Sequence, residues 1–137
     1  MGEDRAELER SVSFRASHHY RRPERPEAED RAVFGDLVDP HPHDYRLTVR
    51  VAGPMEPRTG FVTDLPALDR ALEAVVAPLR DGDLNAGVFP DGDRLTSCEN
   101  LARWFHRELR DRIPPPATLL WVRLAESDDL AARFPSE

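Results

Sequence analysis

Histidines 41 and 43, in "DPHPHDY", stand one residue apart at the mouth of a stretch that reads as a β-strand. Side chains on a strand repeat with period two, so H-x-H puts both imidazoles on one face. That is one of the few local arrangements able to grip one metal ion with two neighbouring side chains. A third ligand must come from elsewhere. His18 and His19, at the end of an earlier strand, and His106, in a later helix, are the other histidines available. Three histidines with an open fourth position describe a catalytic zinc rather than a structural one. Two loop histidines with no metal between them are the competing reading.

The elements that must position these rings follow from hydrophobic periodicity. "RSVSFRASHHY" alternates Val12, Phe14 and Ala16 against Ser11, Ser13 and Arg15, and "DYRLTVRVAG" alternates Tyr45, Leu47, Val49 and Val51 against Arg46, Thr48 and Arg50. Both read as half-buried strands. Residues 21–40 between them are polar and proline-containing, and predict a long loop, a feature that is usually functional or disordered. Asp64 is the expected N-cap of a helix whose apolar stripe is Leu65, Leu68, Leu72, Val75, Val76 and Leu79. "RDGDLNAGVFPDGD" reads as a loop. Thr96 and Glu99 form a T-x-x-E capping box opening a second helix, striped by Leu101, Trp104, Phe105 and Leu109 and ended by the prolines at 114–116. "ATLLWVRLAE" is a third strand, and "SDDLAARFPSE" offers a weak fourth. Strands segregated from helices predict an α+β fold with an antiparallel sheet, both helices on one face. Such a small sheet leaves open edges, and pairing them between subunits predicts a homo-oligomer.

The whole chain, 137 residues, suits one compact domain spanning 1–137. Its net charge of −7 argues against nucleic acid or a membrane surface as partner. "EAVVAPL" and "TLLWV" are too short to cross a bilayer. "MGEDRAELERSV" carries no apolar signal-peptide core, and the single cysteine, Cys98, rules out an intramolecular disulfide framework. A cytoplasmic location is the expectation.

Taken in order, "SFRASHHY", "VFGDLVDPHPHDYRLTV", "GPMEPRTGFVTDLPALDRAL", "SCENLA" and "VRLAES" resemble the 6-pyruvoyltetrahydropterin and 6-carboxytetrahydropterin synthase family. That family reads F-x-A-x-H, H-G-H-x-Y, D-P-x-T-G-x-V-x-D, P-T-x-E-N and a late strand ending in E-T. The resemblance runs from about Phe14 to Ser127. It implies the tunnelling fold, whose strands join between subunits into a barrel as trimers and then hexamers. It implies zinc held by His18, His41 and His43, with His19 directed to the other face, and a small pterin-like substrate. Glu126 falls on the glutamate that anchors the pterin ring, and Glu99 on the acid of the P-T-x-E-N block, a second substrate-binding position.

Three departures qualify the resemblance. The cysteine that serves this family as general base falls on Leu37, which cannot carry a proton. The Asp-His pair that supports it from a neighbouring subunit falls on Arg80 and Asp81, and the H-G-H glycine is Pro42. Cys98 lies in the wrong block to replace the base and reads as a small packed residue. Asp36, Asp39, Asp81 and Asp83 are the substitute bases the sequence offers. Two functions follow: a zinc-dependent lyase of this type acting on a dihydroneopterin-like or altered substrate, or a divergent homologue that binds a pterin- or purine-like ligand without turnover or serves another biosynthetic reaction.

Overall fold

The computed structural model of the chain describes residues 4–22 and 24–137. Strands β1 (Arg5–His18), β2 (His41–Pro54), β3 (Thr118–Ala125) and β4 (Ala131–Phe134) form one antiparallel sheet in the order β1-β2-β3-β4. The first pair is in register along its whole length, with Phe14 opposite Tyr45 and His18 opposite His41. Strand β3 pairs on the other side of β2, Val49 opposite Val122, with a register shift between Arg50 and Val51.

Alternation sorts the two faces. Phe14, Ala16, Tyr45, Leu47, Val49, Val51, Val122 and Leu124 are buried on one side, against helices α2 (Leu65–Val76) and α4 (Cys98–Leu109). Leu68, Leu72, Val75 and Val76 of the first helix, and Leu101, Ala102, Phe105 and Leu109 of the second, complete that core. Each such large apolar side chain contributes roughly 1.5–3 kcal/mol on burial. The opposite face carries Arg46 and Arg123, both exposed. The expected α+β arrangement, two helices on one face of an antiparallel sheet, is the one observed. Among the described residues no helix is long and apolar enough to cross a membrane.

Asp64 caps α2 as expected, its Oδ1 accepting from the Ala67 N–H at 3.1 Å. The other helix boundary differs from the capping-box reading. Ser97, not Thr96, is the N-cap of α4, its Oγ accepting from the Asn100 N–H at 3.1 Å. Thr96 is fully buried and its hydroxyl is engaged by His18 and Asn85, so it is not available as a cap. The helix also stops at Leu109, short of the prolines.

Two expected loops contain helix. Within 21–40 lie α1 (Glu27–Phe34) and a 3₁₀ turn, Gly35–Val38. No apolar stripe announces α1, since Val33 is exposed. Charge builds it instead: Glu27, Glu29 and Asp30 occupy its first turn, and Arg31 pairs with Glu27 at 2.7 Å. Asp30, buried, accepts from the Arg22 N–H at 2.9 Å and pairs with Arg21. Within "RDGDLNAGVFPDGD" lies the short helix α3 (Leu84–Val88), capped by Asp83, which accepts from the Asn85 N–H at 2.9 Å.

Candidate active site

The β1–β2 register brings the three predicted histidines together. His18 is opposite His41, and His43 follows on the same face. Ring centroids lie 4.5 Å apart for His18–His41, 5.0 Å for His18–His43 and 5.1 Å for His41–His43. One nitrogen from each ring lies within 4.8 Å of the other two, a group able to hold a metal ion. H-x-H is therefore part of a strand, not of a loop.

Each ring has a fixed orientation. The Nδ1–H of His18 donates to the Thr96 carbonyl at 2.9 Å, with the Thr96 hydroxyl 3.1 Å away. His18 is 1% exposed, and its Nε2 is buried with no hydrogen-bond partner. The Nδ1–H of His41 donates to the Asp39 carbonyl at 2.8 Å. His43 Nε2 is 2.8 Å from Glu126 Oε2, but the contact is too poorly aligned to be a hydrogen bond and the nitrogen remains unpartnered. Burial pushes the His18 imidazole down to about 4, against the partial support of its Thr96 hydrogen bond, with His41 nearby lowering it further. Burial also lowers His43, partly offset by Glu126. Both rings are thus held neutral, the form in which imidazole binds a metal. Backbone acceptors on Nδ1 are the usual means of fixing the tautomer of such ligands.

Glu126 continues past the end of β3, 9% exposed, beside His43. Its Oε1 accepts from the Cys98 thiol at 3.3 Å. Burial and the neighbouring Glu126 push that thiol up to about 12, so Cys98 is no nucleophile or base near neutrality. It is more than packing, because it holds the carboxylate. Glu99 is exposed on the first turn of α4.

The four substitute bases are all exposed, and no hydrogen bond joins their carboxylates to the imidazoles among the described residues. Asp39 is paired with Arg31, which lowers it below the usual carboxylate range. Asp83 is committed to capping α3. Asp81 sits on the far side of β1, its N–H donating to the Arg15 carbonyl, and has φ 57°. Asp36 lies in the 3₁₀ turn next to Leu37. The Leu37 side chain is exposed, and Arg80 is paired with Glu73 and donates to the Ser13 carbonyl. His19 stays out of the triad: its backbone N–H and carbonyl are held by the Asn85 amide at 3.0 and 2.9 Å. His106 packs against Phe134 instead, ring centroids 5.5 Å apart.

Three residues around the triad were not singled out from sequence. Thr96 was legible only as a helix cap. Tyr45, read as core, is 1% exposed, with its ring 5.5 Å from His43 and its hydroxyl buried without a partner. Tyr20, two residues beyond His18, lies edge-on to that ring at 5.1 Å and tilted against Phe34 at 5.3 Å. The local signal was an aromatic directly after a histidine pair.

Relatives share this frame. The 6-pyruvoyl tetrahydrobiopterin synthase of Homo sapiens is 31% identical over 127 residues, 90% of this chain and 87% of that protein. The protein of that name in Drosophila melanogaster is 30% identical over 123 residues, 88% and 73% of the respective chains. In fold, the 6-pyruvoyl tetrahydropterin synthase of Caenorhabditis elegans superposes with a TM-score of 0.86 at 24% identity, covering 96% of each chain. That of Plasmodium vivax gives 0.66 at 18% identity, over 96% and 97%. A family model described as 6-pyruvoyl tetrahydropterin synthase matches residues 7–137, nearly the whole sequence. With the fold and the histidine cluster in agreement, the chain belongs to the 6-pyruvoyl tetrahydropterin synthase family.

Proposed function

We propose that this chain is a zinc-dependent lyase acting on a dihydroneopterin-like or otherwise altered pterin. The observation that carries the reading is His18 Nε2, a buried acceptor with no partner beside two other imidazoles, while Nδ1 is committed to Thr96. A cation bound by His18, His41 and His43 would satisfy it, and three neutral nitrogens with an open position suit zinc. Bound zinc supplies a positive charge that polarises substrate oxygens and eases loss of a neighbouring proton. Glu126 accepts the amino and ring N–H groups of the pterin, a planar donor pair that matches a carboxylate edge. Glu99, on the exposed start of α4, is the second substrate-binding carboxylate. The base is drawn from Asp36, Asp39, Asp81 and Asp83. Asp36 is less committed than Asp39, which Arg31 weakens, or Asp83, which caps a helix.

We also propose assembly through the sheet edges into a trimer or hexamer; β1 is an edge strand, and its outer edge is open before Ser13, where residues 80–83 begin to cover it. A monomer by sedimentation at micromolar concentration would contradict this. A second function, ligand binding without turnover, is favoured by one observation: Leu37 and the Glu73-paired Arg80 supply no proton-transfer group where the family has one.

Metal analysis of the purified protein is expected to find about one zinc per chain, and His41→Ala to lose it. Full occupancy in that variant would refute the ligand assignment. Turnover of a pterin triphosphate by the zinc-loaded protein separates the lyase from the non-catalytic binder.

A further inference from the structure

Tyr20 stands where the three histidines meet the loop that carries Leu37. Its backbone N–H donates to the Leu37 carbonyl at 2.9 Å, tying the end of β1 to the 3₁₀ turn. Its ring is edge-on to His18 at 5.1 Å and to His41 at 6.2 Å, and leans on Phe34 of α1. The side chain is half-buried, and among the described residues its hydroxyl makes no hydrogen bond within the chain. A phenol wedged between aromatic rings has its hydroxyl aimed by packing rather than by a polar partner, so the partner must come from outside. Leu37 beside it offers only a hydrocarbon side chain.

Resting on the pterin reading above, we propose that Tyr20 is a substrate-binding residue whose hydroxyl donates to an oxygen of the substituent carried by the pterin ring. Glu126, beside His43, then reads the ring, and Tyr20, beside His18 and His41, reads the substituent. No proton is lost from the phenol in this role. It selects ring substituents that present an oxygen on the His18–His41 side over an unsubstituted ring.

The test is a pair of binding titrations on the purified protein. One probe is a pterin with a trihydroxypropyl side chain, and the other is the same ring with hydrogen at that position. Tyr20→Phe keeps the ring packing against His18 and Phe34, and unchanged metal content and thermal unfolding would verify that. It is expected to weaken the hydroxylated pterin about threefold to tenfold, the range for one neutral hydrogen bond, and to leave the bare ring unchanged. Unchanged affinity for both probes, or equal weakening of both, would overturn the assignment of Tyr20 while leaving the pterin reading intact. Failure of the unmodified protein to bind either probe would refute the pterin reading, and this inference with it. Tyr20→Leu, which removes the ring as well, is expected to lose at least as much selectivity as Tyr20→Phe; retained selectivity there would count against the hydroxyl.

Discussion

Replacing Glu126 by glutamine keeps the side chain's length and shape but turns one acceptor oxygen into a donor. In the folded chain Oε1 accepts from the Cys98 thiol at 3.3 Å and Oε2 lies 2.8 Å from His43 Nε2. The thiol is a weak donor, so an amide oxygen can satisfy it with little loss. A pterin offering two N–H groups is different, because the amide nitrogen then faces a donor across a nearly dry contact; Glu126 is 9% exposed. Charge-assisted hydrogen bonds are worth about 1.5–3 kcal/mol each, and leaving a donor unmatched adds a penalty of similar size. A loss of about 2–4 kcal/mol is expected, roughly 30-fold to several hundred-fold in Kd. Fluorescence titration or calorimetry with a pterin measures it. Zinc content should not change, since Glu126 is not among the three proposed ligands, and elemental analysis of the same preparation checks that. Unchanged pterin affinity would show that Glu126 is a strand-end acid held by Cys98 and nothing more.

The metal-free protein should lose stability as pH falls from about 6.5 toward 4. His18 is pushed down to about 4 when folded and returns to its ordinary 6.5 when unfolded, so the unfolded chain takes up the proton first. The His18 share is on the order of 3 kcal/mol. Urea unfolding at pH 7 and pH 4.5 measures it, and a His18→Gln variant with an equally steep decline would contradict the assignment. On the family's usual triphosphate substrate, turnover is expected about 10²- to 10⁴-fold below that of relatives carrying the cysteine base. Leu37→Cys alone should restore little, whereas adding Arg80→Asp and Asp81→His should restore more; Asp81 has φ 57°, a conformation histidine tolerates. Family-level turnover by the unmodified protein would redirect attention to Asp36, Asp39, Asp81 and Asp83. Leu72→Ala, at a fully buried position between α2 and the sheet, should cost about 2–5 kcal/mol in denaturant unfolding; a loss under about 1 kcal/mol would show that the core collapses around the gap.

Local pattern was enough wherever one physical rule acted alone. Period-two alternation from Val12 to Ala16 and from Tyr45 to Val51 specified two strands and their buried faces, and placed His41 and His43 on the side of Tyr45. Helical spacing from Leu65 to Leu79, opened by Asp64, specified α2. The pairing of His18 with that dyad was legible through family resemblance, because spacing along the chain says nothing about which histidine a strand register delivers. What failed was local reading where distant groups compete for a residue. Thr96 looks like a cap in sequence, but His18 and Asn85 claim its hydroxyl in the fold, so the cap passes to Ser97. Helix α1 has no apolar period to betray it; its order comes from Glu27–Arg31 and from Asp30 reaching Arg21 and Arg22. Cys98 reads as a small buried residue until β3 brings Glu126 to its thiol. Tyr20 reads as a strand end until the turn at Leu37 folds back onto it. Residue order along one element is enough to say which side chains share a face; which of them meet across elements, and which of their atoms are left without a partner, follows only from how the elements pack, because a hydrogen bond or a ligand set depends on distance in space rather than on separation along the chain.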